Sequence, residues 1–111
     1  MHAQLRAAAA RDVDDAMFYY RDEAGPETAL DFLDSLETAI TQLCDYPQIG
    51  SLRFAFELDI PDLRSWPIPR FPYLIFYVPD DQRIDIWRVL HARRDIPTFL
   101  SDDPSGSTGE G

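Results

Sequence analysis

Lysine is absent from this 111-residue chain, so all ten of its basic side chains are arginine. Arginine suits planar, bidentate and partly buried contacts better than lysine does, although a GC-rich coding preference gives the same outcome. Cysteine occurs once, at Cys44, which excludes an internal disulfide; its place on an apolar helical stripe marks it as a small core residue. There is no CxxC, no pair of histidines at ligand spacing and no glycine-rich phosphate loop, so no metal and no organic cofactor is implied. No apolar run approaches the roughly 20 residues that a membrane helix needs. The start, Met1 to Arg6, lacks an apolar core behind a basic stretch, and Ala7–Ala10 is too short and weakly apolar for a signal peptide. A soluble cytoplasmic protein with no membrane partner is the expectation.

What is present is acid, and it is unevenly spread. The formal net charge is −10. Residues 1–50 carry −7, residues 51–100 balance to zero and residues 101–111 carry −3. Such a field disfavours loose binding to nucleic-acid phosphates, and no direct sequence-specific nucleic-acid binding is expected. Against this background Arg88, His91, Arg93 and Arg94 cluster at the end of an apolar strand pattern. Gathering cations there costs desolvation and self-repulsion, so the cluster is either neutralised within the fold or kept for a partner.

The length and a 45% hydrophobic composition suit one domain with one core. Residues 1–7 fit a short first strand. Val13, Ala16, Met17, Tyr20 and Ala24 follow helical spacing, with Asp12, Asp15, Asp22 and Glu23 on the opposite face. Gly25-Pro26 ends that helix and opens a second, whose stripe is Ala29, Phe32, Leu33, Leu36, Ile40, Leu43 and Cys44. So short a link makes the two an antiparallel hairpin. Leu52, Phe54 and Phe56 then alternate with polar or small residues and read as a strand. Leu63–Ile68 reads as an irregular or edge strand because of Pro67 and Pro69. Tyr73–Val78 and Arg83–Leu90 read as a central hairpin. The predicted architecture is α+β, a two-layer β-α-α-β-β-β domain with the helical hairpin packed on an antiparallel sheet. Residues 1–97 form this domain. Residues 98–111 form an acidic, Ser/Gly-rich tail that cannot bury enough surface to order alone.

These residues resemble the ParE/RelE toxin superfamily of bacterial type II toxin–antitoxin systems, and most closely the ParE branch. The resemblance rests on Asp15 and Tyr19-Tyr20, then Ala29 and Phe32, and Leu43 before Pro47-x-x-Gly50. Leu63-Arg64 and Phe71-Pro72-Tyr73-x-Ile75-x-Tyr77 follow. Ile86-x-Arg88-Val89-Leu90-His91-x-Arg93-Arg94-Asp95 closes the fold. It spans about residues 5–96. It implies a RelE/ParE-like fold and a toxin neutralised by a ParD-type antitoxin, a ribbon-helix-helix protein with a disordered C-terminal segment. It also implies a target, DNA gyrase, poisoned in its cleaved-DNA state without intrinsic catalysis. RelE-like relatives instead cut messenger RNA on the ribosome, and a non-toxic antitoxin-binding homologue is a third reading; fold alone does not choose among them.

As a nuclease the chain would rely on Arg64, Arg88 and His91 as clamp and proton shuttle. The missing lysines, Phe99 in place of a late tyrosine, and a net charge that repels the ribosome argue against it. The residues expected to bind antitoxin are Arg53, Arg64, Trp66, Arg70, Tyr73, Arg93 and Arg94, which would pair with acids and apolar groups of a captured segment. Simpler readings stand beside these. Arg88 is expected to pair with Asp12 or Asp15, and His91 to hydrogen-bond a carbonyl, Asp95 or a helix acid. Trp66 either caps the core or stands exposed.

Overall fold

The computed structural model describes residues 1–94 and 96. The expected His91–Asp95 contact, the position of Phe99 and the 97/98 boundary lie outside the described residues. The elements are β1 (His2–Leu5), α1 (Ala7–Ala24), α2 (Pro26–Asp45), α3 (Arg53–Leu58), β2 (Arg64–Pro67), β3 (Tyr73–Pro79) and β4 (Arg83–His91). The alanine run is the strongest helix former available and opens α1. Gly25, at φ +98°, turns the chain, and its N–H donates to the Arg21 carbonyl; Pro26 then opens α2.

The four strands form one sheet in the order β1-β4-β3-β2. The β2-β3-β4 meander is antiparallel, as expected, and β3 and β4 are the inner strands. The sheet as a whole is mixed, because β1 pairs parallel with β4, His2 opposite Arg83 through Leu5 opposite Ile86. The two long helices cover one face. There Phe32, Leu36, Ala39 and Leu43 of α2 and Ala9, Val13 and Ala16 of α1 bury against Ile75, Tyr77, Ile84, Ile86 and Val89. Phe32 is fully buried, which contributes on the order of 1.5–3 kcal/mol. Cys44 is a free thiol, half-buried on the flank of this core.

The segment expected as a strand at Leu52–Glu57 is instead the helix α3. The Arg53 N–H donates to Ser51 Oγ, the Phe56 N–H to the Leu52 carbonyl, and Arg53 pairs with Glu57 one turn on. A strand would turn Phe54 and Phe56 to the same face. In the helix only Phe54 buries, edge-on to Phe76 on the far face of the sheet, while Phe56 stays 82% exposed. Leu63, Leu90 and Ile96 complete this smaller second core.

Candidate functional site

A cleft of about 610 Å³ opens between α1 and the end of the β3–β4 hairpin. One wall is a helical stripe at i, i+3, i+4 and i+7: Asp12, Asp15, Ala16 and Tyr19, with Tyr20 beside it. The other is Tyr73, Arg88, Val89 and His91, and Arg93 and Arg94 form the rim in the turn after β4.

The floor depends on an irregularity in β4. Phe76 lies opposite Arg88 but Tyr77 lies opposite Ile86, so the register slips by one residue. Such a bulge re-aims a side chain. Arg88 here turns to α1 and forms a two-pronged pair with Asp12, Nε to Oδ2 at 2.7 Å and Nη2 to Oδ1 at 2.8 Å. The Val89 N–H also donates to Asp12 Oδ2 at 3.0 Å. Both charged side chains are only 12% exposed. Asp12 therefore satisfies a cation and a strand N–H at once and clamps α1 to β4. The expectation that Asp12 lies on the solvated face of α1 is corrected by this inward turn; the expected pairing with Arg88 is the one seen.

Among the described residues His91 makes a contact that was not anticipated. Its Nδ1 accepts the Arg93 backbone N–H at 3.1 Å, and its ring stands edge-on to Tyr73 at 5.2 Å. The Nδ1 lone pair is thereby engaged by the backbone of the turn. Tyr73 belongs to an aromatic cluster with Tyr20, Phe32 and Phe71. Burial pushes the phenols of Tyr20 and Tyr73 up, and Arg94 pulls Tyr73 partly back. Both remain neutral hydrogen-bonding groups at ordinary pH.

The structure thus gathers Tyr73, Arg88, His91, Arg93 and Arg94 from among the anticipated residues. It does not bring Arg53, Arg64, Trp66 or Arg70 to the cleft. Arg53 is exposed on α3, paired with Glu57. Arg64 lies opposite Tyr77 on β2, and its Nη1 donates to the Gln48 and Gly50 carbonyls while its buried Nε has no partner. Trp66 is half-buried against the helix-side core and donates from Nε1 to Gln42. Arg70 sits in a turn at φ +71°, 3.5 Å from Ser35 Oγ. The α1 wall went unassigned by sequence reasoning, although the spacing of Asp12, Asp15, Ala16 and Tyr19 marks one helix face.

Chemically the cleft is an aromatic-walled recess with cations at its mouth and a neutralised pair at its base. Among the described residues no group of His, Cys, Asp and Glu is arranged to hold a metal, and no helix is long and apolar enough to cross a membrane. The family model for the ParE toxin of type II toxin–antitoxin system, parDE, matches residues 3–96. A solved structure described as a chromosomal ParDE TA system from P. aeruginosa superposes with a TM-score of 0.71 at 21% identity, covering 84% of this chain and 97% of that one. No curated protein matches the sequence.

Proposed function

The chain belongs to the ParE toxin family of type II toxin–antitoxin systems, and from that premise we propose that it is a cytoplasmic gyrase poison neutralised by a ParD-type antitoxin. It acts by binding, with no bond-breaking chemistry of its own. The observation that carries this reading is the state of the two groups a nuclease would rely on in the cleft. The Arg88 guanidinium is engaged by Asp12. His91 spends its Nδ1 lone pair on the Arg93 backbone N–H. With that lone pair engaged, Nδ1 is not available to take a proton from a ribose hydroxyl.

The recess suits a peptide instead. Arg93 and Arg94 are exposed at its mouth and would meet acids of the antitoxin's C-terminal segment, while Tyr19 and Tyr73 offer flat surfaces to its apolar side chains. The gyrase target is the expectation attached to ParE-type toxins. The test is direct: purified protein added to gyrase and supercoiled DNA should block supercoiling and accumulate cleaved DNA, and a stoichiometric ParD-type antitoxin should reverse both. No effect at large excess, or cut messages in a translation extract, overturns it.

A further inference from the structure

The two ends of the β3–β4 hairpin carry opposite chemistry. The cationic cleft lies where β3 begins and β4 ends. Six residues along β3, from Tyr73 to Pro79, about 20 Å away at roughly 3.4 Å per residue, the loop after α2 meets the β3–β4 turn. A groove of about 750 Å³ opens there, and it shares no lining residue with the cleft. Its apolar surface is supplied by Met1, Tyr46, Pro47, Ile49 and Pro79; its side-chain charge comes from Asp45, Asp80 and Asp81, with the Met1 residue that bears the terminal ammonium also lining it, and no arginine lines it. Tyr46 is 66% and Ile49 42% exposed.

The loop that displays these side chains is held from beneath. The Tyr77 hydroxyl accepts the Gly50 N–H and donates to the Pro47 carbonyl, both at 2.9 Å. Arg64 Nη1 donates to the Gln48 and Gly50 carbonyls, also at 2.9 Å. An apolar surface shown to water on a fixed backbone is preorganised for a partner, since little ordering remains to oppose binding. The acids stand there at a local cost. Asp45 is the last residue of α2, with no base in that turn, where the negative end of the helix dipole disfavours a carboxylate. Asp80 is kept ionised by the Gln82 and Arg83 N–H groups on its Oδ1.

We infer that this groove docks a cationic amphipathic segment of the toxin's target protein. Its apolar side chains would lie on Tyr46, Pro47 and Ile49, and its Lys or Arg groups would pair with Asp45 and Asp81. Target and antitoxin are thereby read at opposite ends of one hairpin. The inference rests on the reading that the protein acts by binding a target protein.

The test uses the full chain. Titrating it with a synthetic twelve-residue peptide of alternating lysine and leucine, followed by residue-resolved NMR, should give saturable shifts centred on residues 45–49 and 79–81. Shifts spread over the acidic faces of α1 and α2, or none, overturn the groove. In parallel, the doubly substituted Asp45→Lys, Asp81→Lys variant should need at least about tenfold more protein to inhibit gyrase. It should bind antitoxin as the parent does and melt no lower, because the change relieves an acid at a helix end. Undiminished inhibition by that variant overturns the inference. An inert parent refutes the gyrase target instead, and the peptide map then decides the groove by itself.

Discussion

Replacing Asp12 by alanine removes three hydrogen bonds from the junction of α1 and β4: two from Arg88 and one from the Val89 N–H. Breaking a buried ion pair by deleting one partner costs about 3–5 kcal/mol, because the other charge stays desolvated. Arg88 and Asp12 each keep 12% of their side-chain exposure, so the low end applies, about 3 kcal/mol. At about 4–8 °C per kcal/mol for a domain of this size, the melting temperature should fall by roughly 12–24 °C. Urea unfolding followed by tryptophan fluorescence and thermal unfolding by circular dichroism would measure both. Substituting both partners by apolar groups, Asp12→Leu with Arg88→Met, removes the stranded charge. The double variant should lose only about 1–2 kcal/mol, mostly from the unpaired Val89 N–H. A loss below about 1 kcal/mol in Asp12→Ala, or a double variant no better than the single, refutes the clamp.

At Gly50 an added methyl would stand 2.6 Å from Tyr77 Oη and 2.9 Å from the Ser65 carbonyl. Gly50→Ala should therefore cost about 1–3 kcal/mol, and Tyr77→Phe a similar amount by stranding two buried groups, both read by urea unfolding. Arg93→Glu should weaken antitoxin binding and flatten its salt dependence while changing stability by less than about 0.5 kcal/mol; calorimetry at two salt concentrations checks this. Asp80 has its pKa lowered from 3.8, first by the Gln82 and Arg83 N–H groups. Its contribution to stability is thus present above 3.8 and lost as pH falls through its lower folded value. In Asp80→Ala the acid limb of the stability profile should be shallower below that pH, and an unchanged limb would count against the turn.

Both long helices and the β3–β4 hairpin were legible because their periodic runs are long and their stops, Gly25-Pro26 and Pro47 to Gly50, are strong. The Arg88–Asp12 pair was legible too, since a cation inside an apolar strand needs an acid and α1 supplies few. The segment Leu52–Glu57 misled because three alternating apolar residues are too few to separate a strand from one and a half helical turns. What decides it is tertiary, a single slot for Phe54 against Phe76. Parallel pairing of β1, and the Arg6–Asp85 pair that it brings together across 79 positions, were hidden for the same reason. Arg64, Trp66 and Arg70 were expected to bind antitoxin together with Tyr73, Arg93 and Arg94, but the sequence does not show how far apart the fold sets them. Strand register separates Arg64: Tyr73 lies opposite His91, but Arg64 lies opposite Tyr77, at the other end of the hairpin.

That separation bears on why an acidic toxin concentrates cations at all. Several of its arginines are used by the fold. Arg6 is paired with Asp85, Arg83 with Asp80 and Arg88 with Asp12, while Arg64 holds the loop before α3. The cluster that looks continuous in sequence divides in space. Arg88 is turned inward by the bulge and His91 is tied into the turn, whereas Arg93 and Arg94 are exposed, where salt screens the repulsion between them. A catalytic clamp would need its cations converging on one buried point with no carboxylate between them. This cleft places Asp12 at that point and leaves its exposed charge at the mouth. On the function proposed above, the rim is where a peptide carboxylate would be met, and a phosphate drawn to the base would meet Asp12 there.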